Sequence, residues 1–184
     1  PSMSTGHAAH TATLLNDGTV LIAGGVSSAP PFVTVRSNVA EIYDLLVGSY
    51  GSFTTVGLMT SARESAAAVP LADGGALVAG GWGAAGLTGS AEIYNAVSRT
   101  FSGAGSLAIP RGYHTATSLP RGEVLFAGGS LAPGYTNTAE TTLPGSGTFA
   151  ATGSMSAARA WHTATMLDCG VVLIVGYAGS AELY

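Results

Sequence analysis

Val20-Leu-Ile-Ala-Gly-Gly25, Ala76-Leu-Val-Ala-Gly-Gly81, Val124-Leu-Phe-Ala-Gly-Gly129 and Val172-Leu-Ile-Val-Gly-Tyr177 are four versions of one phrase. Each is a short strand-like run rich in Ala, Val, Leu and Ile that leads to glycine. A phrase returning at so long a period marks a repeat architecture in which every copy is one small sheet. Alignment on Met3, Met59, Leu107 and Met155 sets the copies 56, 48 and 48 residues apart, so the first copy carries an insertion.

The alignment extends well beyond the glycines. Four residues after the anchor stand His7, Arg63, Arg111 and Arg159, and seven after it stand His10, Ala66, His114 and His162. An apolar and threonine-rich segment follows in every copy, from Thr11 to Leu15, Ala67 to Leu71, Thr115 to Leu119 and Thr163 to Leu167. Asp17-Gly18 and Asp73-Gly74 are hairpin signals, with Arg121-Gly122 and Cys169-Gly170 in the same place later. Beyond the Gly-Gly strand lies a loop, then Ala40-Glu-Ile-Tyr43, Ala91-Glu-Ile-Tyr94, Ala139-Glu-Thr-Thr142 and Ala181-Glu-Leu-Tyr184. A fourth segment around Phe53, Phe101 and Phe149 closes the first three copies. Each copy therefore reads as four short strands, and the fold as an all-β propeller of about four blades. The blades run approximately 3–57, 58–105, 106–153 and 154–184, the last without a fourth strand.

Composition narrows the function classes. The 184 residues are 47% hydrophobic and 9% charged, which is the reverse of a disordered chain. Net charge is −4 with six Lys and Arg, so no basic patch is available for nucleic acid or an anionic membrane surface. No apolar run approaches the ~18 residues of a membrane-spanning helix, so no membrane insertion is expected. Cys169 is the single cysteine and can form no disulfide within the chain. The start at Pro1, without an initiator Met or a signal-peptide pattern, reads as a processed product or a fragment. The low-charge surface rich in Gly, Ser, Thr and Ala suits an exported bacterial protein, secreted or at the cell surface.

The linked positions resemble the kelch repeat, whose marks are a Gly-Gly at the end of the second strand, a Tyr in the third and an aromatic residue in the fourth. Here these are Gly24-Gly25, Gly80-Gly81 and Gly128-Gly129, then Tyr43, Tyr94 and Tyr184, then Phe53, Phe101 and Phe149. Thr142 and Gly176-Tyr177 depart from the pattern. The resemblance implies a ring that usually has six or seven blades. Four copies then imply an unusual small ring, a ring completed by a second chain, or part of a longer one. An unpaired third strand in the last blade would invite association with another chain.

Three groups of residues are candidates for function. His10, His114 and His162 would converge at the channel mouth if the ring brings equivalent positions together, a donor set suited to zinc or copper. Backbone hydrogen bonding within the blades is the competing role. Arg63, Arg111 and Arg159 would offer guanidinium donors to a carboxylate or a polar sugar. Their competing role is pairing with the recurrent Glu41, Glu92, Glu140 and Glu182, locking loops between blades. The aromatics Phe32, Trp82, Tyr135, Trp161 and Tyr177 stand in or beside the loops at the Gly-Gly end, where a rigid scaffold carries its binding surfaces. They suit stacking on sugar rings or anchoring a protein, and packing of Trp82 and Tyr135 against neighbouring blades is the competing role.

Gly81-Trp-Gly-Ala-Ala-Gly86 matches a dinucleotide fingerprint by letter only, because a strand and not a helix follows it. The leading expectation is thus a non-catalytic binding module for protein or carbohydrate, needing no cofactor. A second is kinship with the galactose-oxidase-type copper enzymes, whose propellers these copies also resemble. That family requires a tyrosine cross-linked to a cysteine, and Cys169 stands alone in a turn. A third is a structural module, a homo-oligomer that completes a ring or extends through its blade edges.

Overall fold

The computed structural model describes residues 1–29, 33–176 and 179–184. Among the described residues every long-range regular element is a strand and no helix occurs. The first copy forms β1 (Thr11–Leu14), β2 (Val20–Ala23), β3 (Val26–Ala29), β4 (Val33–Arg36), β5 (Ala40–Asp44) and β6 (Ser52–Thr55). The second forms β7 (Ala67–Pro70), β8 (Ala76–Ala79), β9 (Trp82–Gly83), β10 (Gly86–Leu87), β11 (Ser90–Asn95) and β12 (Thr100–Ser106). The third forms β13 (Thr115–Ser118), β14 (Val124–Ala127), β15 (Ala139–Thr142) and β16 (Ala150–Thr152), and the fourth β17 (Thr163–Met166), β18 (Val172–Val175) and β19 (Ala181–Leu183).

These strands make four small antiparallel sheets, β1-β2-β5-β6, β7-β8-β11-β12, β13-β14-β15-β16 and β17-β18-β19, arranged as four blades of a β-propeller. The inner strands pack in chain order, β1 on β7, β7 on β13 and β13 on β17. Two details differ from the expectation. The loops after the Gly-Gly pairs of blades 1 and 2 are partly regular, as the ribbons β3–β4 and β9–β10. The fourth strand of blade 3 begins at Ala150, so Phe149 precedes it and packs instead on Phe126, with centroids 5.6 Å apart.

The core lies between blades, not within them. Leu21, Ala23, Ala40 and Ile42 of blade 1 meet Met59, Ala76, Val78 and Tyr94 of blade 2. Leu77, Ala79 and Ala91 then meet Leu107, Val124 and Phe126, and Leu125, Ala127 and Ala139 meet Met155, Val172 and Ile174. A blade squeezed on both sides needs apolar residues on both faces of its second strand. That is why β8 and β14 are buried at every position. Each large aliphatic side chain so enclosed contributes roughly 1.5–3 kcal/mol.

The Gly-Gly pair belongs to the same junction. A Cβ on Gly24 would lie 2.5 Å from the carbonyl oxygen of Arg63 in the next blade, and on Gly80 or Gly128 2.6 Å from that of Arg111 or Arg159. The second glycine of each pair donates its N–H to that same arginine carbonyl: Gly25 to Arg63 at 2.7 Å, Gly81 to Arg111 and Gly129 to Arg159 at 2.8 Å. Backbone thus meets backbone across every junction, a contact only glycine permits.

Candidate functional site

The register of the strands fixes which residues share an end of the propeller. β1 leaves the Gly-Gly end and reaches the Asp17-Gly18 turn, and β2 returns, with the same course in every blade. The arginine and histidine positions and the aromatics Trp82, Tyr135 and Trp161 therefore lie at one end, and Arg121 and Cys169 at the other. Phe32 and Tyr177 fall outside the described residues.

The arginines are committed to the scaffold. Arg63 donates from Nη1 to the carbonyls of Gly80 (3.0 Å) and Ser90 (2.7 Å), and from Nη2 to Ser90 Oγ (3.0 Å) and Glu92 Oε1 (2.6 Å). Arg111 repeats the set with Gly128, Thr138 and Glu140, and Arg159 with Gly176, Ser180 and Glu182. The carboxylates also accept backbone N–H groups of the anchor loop, Thr60 and Ser61 on Glu92, and Ala108 and Ile109 on Glu140. All three guanidinium groups are buried, so they present no donors to a ligand. Burial holds the Arg111 guanidinium below its usual pKa, and Glu140 offsets part of that cost. The pairing joins arginine to the glutamate of its own blade, a correction to the expected lock between blades. The link between blades is the arginine carbonyl. In blade 1 His7 stands in for arginine, with Nδ1 2.6 Å from the Gly24 carbonyl and Nε2 3.3 Å from Glu41.

The histidines occupy separate junctions. The Cε1 of His114 lies where a Cβ on Gly80 of the preceding blade would stand, and the Cε1 of His162 does the same beneath Gly128. His162 Nε2 is 3.0 Å from Thr115 Oγ1 across the blade boundary. Burial, reinforced by the neighbouring Arg111 and then by His162, depresses the pKa of His114 to about 3. Burial and Arg159 depress that of His162 to about 4. Both imidazoles are neutral at physiological pH. His10 is half-buried beside His7, with ring centroids 5.9 Å apart. Among the described residues no three His, Cys, Asp or Glu side chains come together to hold a metal ion.

The aromatics divide into two groups. Trp82 is half-buried and lies over Gly112 of blade 3, where a Cβ would be 3.0 Å from its indole Cδ1 and Nε1. Tyr135 and Trp161 meet edge-to-face at 5.6 Å, and Trp161 also stacks obliquely on Tyr113 at 4.6 Å. Trp161 is 56% exposed and Tyr135 38%. Three rings from two blades thus form one solvent-facing corner.

The backbone explains why this corner forms. Ala9, Ser65, Tyr113 and Trp161 precede the histidine position, and all four have positive φ, between 52° and 55°. The N–H of Ser65 donates to the Ala9 carbonyl, that of Tyr113 to Ser65 and that of Trp161 to Tyr113, at 2.8, 2.9 and 3.1 Å. This ladder runs from blade to blade and holds each residue in the left-handed region. Bulky side chains rarely adopt it, and here two aromatics sit there side by side. Tyr113 is not among the residues that the sequence singles out. Its only signal there is position, one residue ahead of a recurrent histidine.

Cys169 is exposed in the β17–β18 turn, away from the aromatic corner. A shallow recess of about 430 Å³ between Thr60–Ala62 and the Gly83–Thr88 ribbon presents chiefly small side chains and backbone. Compared with known proteins, the chain matches no family model and no curated sequence.

Proposed function

We propose that this chain is a kelch-type, non-catalytic binding module that takes a neutral carbohydrate on the Tyr113–Tyr135–Trp161 corner. The observation that carries this reading is the exposed Trp161, braced on one side by Tyr113 at 4.6 Å and on the other by Tyr135 at 5.6 Å. Rings held in place by packing lose little freedom when a ligand arrives, and their faces suit the C–H surface of a pyranose. Lack of charge favours a neutral ligand. The recurrent arginines are spent on glutamates, and His114 and His162 carry no charge near pH 7.

The chain has two tryptophans. In Trp82→Phe, Trp161 is therefore the only indole reporter. Titration of that variant with neutral oligosaccharides is expected to shift the emission to the blue as the ring leaves water. Trp161→Ala is expected to weaken binding at least tenfold, and Trp82→Ala to leave it within about twofold. Failure of every neutral glycan on an array to bind at millimolar concentration, or a hit unchanged in Trp161→Ala, would overturn the proposal.

A further inference from the structure

We infer that one internal water molecule is bound between blades 2 and 3, on His114 Nε2 and the carbonyl oxygen of Ala79. Two recurrent positions face each other across each junction. One blade brings the first residue of its inner strand, Thr11, Ala67 or Thr115. The next blade brings the residue just ahead of its own inner strand, Ala66, His114 or His162. Between blades 3 and 4 both polar groups are present, and they meet: His162 Nε2 is 3.0 Å from Thr115 Oγ1. Between blades 1 and 2 Ala66 replaces the imidazole, and Thr11 Oγ1 donates to the Ala23 carbonyl of its own blade at 3.3 Å. Thr163 in blade 4 does the same toward Val175, also at 3.3 Å. Between blades 2 and 3 the imidazole is kept and the hydroxyl is lost, because Ala67 stands where the other three blades have threonine.

His114 nevertheless keeps the pose of His162. A Cβ on Gly80 would lie 2.6 Å from His114 Cε1 and 3.3 Å from its Nε2, as one on Gly128 would lie 2.8 Å from His162 Cε1. His114 is 6% exposed and lies against Phe126, and among the described residues neither of its buried ring nitrogens has a partner. Nδ1 is equally bare in His10 and His162, so Nε2 is what sets His114 apart. A neutral imidazole whose Nδ1 is a bare lone pair carries its proton on Nε2, and an enclosed N–H is costly to leave without an acceptor. Alanine in place of threonine frees roughly the share of one water, ~30 Å³. The space is enclosed, since Ala67 is 8% exposed. A water there accepts from Nε2–H and donates to the carbonyl of Ala79, the residue opposite Ala67 and the counterpart of Ala23 and Val175. One oxygen thus does what the Thr115 hydroxyl does at the next junction. The nearby Arg111 charge disfavours a cation in this place, and the carbonyl, which offers only lone pairs, disfavours an anion.

Magnetic relaxation dispersion of water oxygen counts the slowly exchanging internal waters of a protein. The wild-type chain is expected to hold one more than Ala67→Thr, because the introduced hydroxyl takes the place of the water. Ala67→Thr is also expected to raise the urea midpoint at constant slope. Thr115→Ala makes the reverse change beside His162 and is expected to add one internal water. A crystal structure of the wild-type chain that resolves ordered solvent is expected to show an oxygen within about 3.2 Å of both His114 Nε2 and the Ala79 carbonyl. Equal counts for the wild type and a folded Ala67→Thr, or well-defined density with no atom between those two groups, would overturn the inference. Should Ala67→Thr not fold, Thr115→Ala decides against the wild type: one added water supports the inference, and an unchanged count sinks it.

Discussion

Ser65 shows what the ladder of positive-φ residues costs. Its φ is 53°, and its buried Oγ has no hydrogen-bond partner. Left-handed backbone costs a residue other than glycine about 1–2 kcal/mol, against about 0.5–1 kcal/mol of extra chain entropy lost when glycine is ordered. Ser65→Gly also removes the unsatisfied hydroxyl while keeping the carbonyl that Tyr113 uses. It is expected to stabilise the chain by about 0.5–1 kcal/mol, read as a higher urea midpoint at constant slope. The same position explains why one of the three rings of the aromatic corner was hidden in the sequence. Ala9, Ser65, Tyr113 and Trp161 have no chemistry in common; what unites them is a backbone angle. Trp161 and Tyr135 were legible as loop aromatics, but that they touch, and that Tyr113 joins them, depends on the stagger between blades.

At the scale of the blade, the arginine and glutamate columns were legible because scarce charges recurred together. Their direction was not, since a period alone cannot say whether arginine meets the glutamate of its own copy or of the next. The two ends of each arginine act separately. Its side chain ties the anchor loop to β11, β15 or β19, and its carbonyl receives the preceding glycine. Removing one member of such a buried pair strands the other. Arg111→Met is expected to cost about 3–5 kcal/mol in denaturant unfolding, and Arg111→Met with Glu140→Gln distinctly less, because no unpaired charge then remains inside. A double variant as unstable as the sum of its parts would mean that the two groups do not act as a pair.

Across the whole molecule, the four blades and their strand order were readable from the glycine phrases and hairpin turns, because each strand announces its own burial. Whether equivalent histidines would share one site was not readable, since that depends on how wide the arrangement is and where the ring nitrogens lie. Enclosed at separate junctions, they give the protein an acid sensitivity. His114 and His162 titrate near 6.5 when unfolded but at about 3 and about 4 when folded. Above pH ~6.5 both states hold them neutral and they add no pH dependence. As pH falls below that value only the unfolded chain takes up the protons, so stability declines down to the folded pKa values. Between pH 6.5 and 5 the free energy of unfolding is expected to fall, and His114→Gln to reduce the slope by about half. An unchanged slope would remove His114 from the effect. The joint made by the second glycine N–H and the next arginine carbonyl has one more consequence, for descent rather than stability. Blades 2 and 3 each carry a complete socket on one side and a complete plug on the other. A duplicated stretch of 48 residues, the spacing of Met59, Leu107 and Met155, therefore enters the chain already fitted to both neighbours. Such a gene can grow or shrink by whole units without a single compensating substitution.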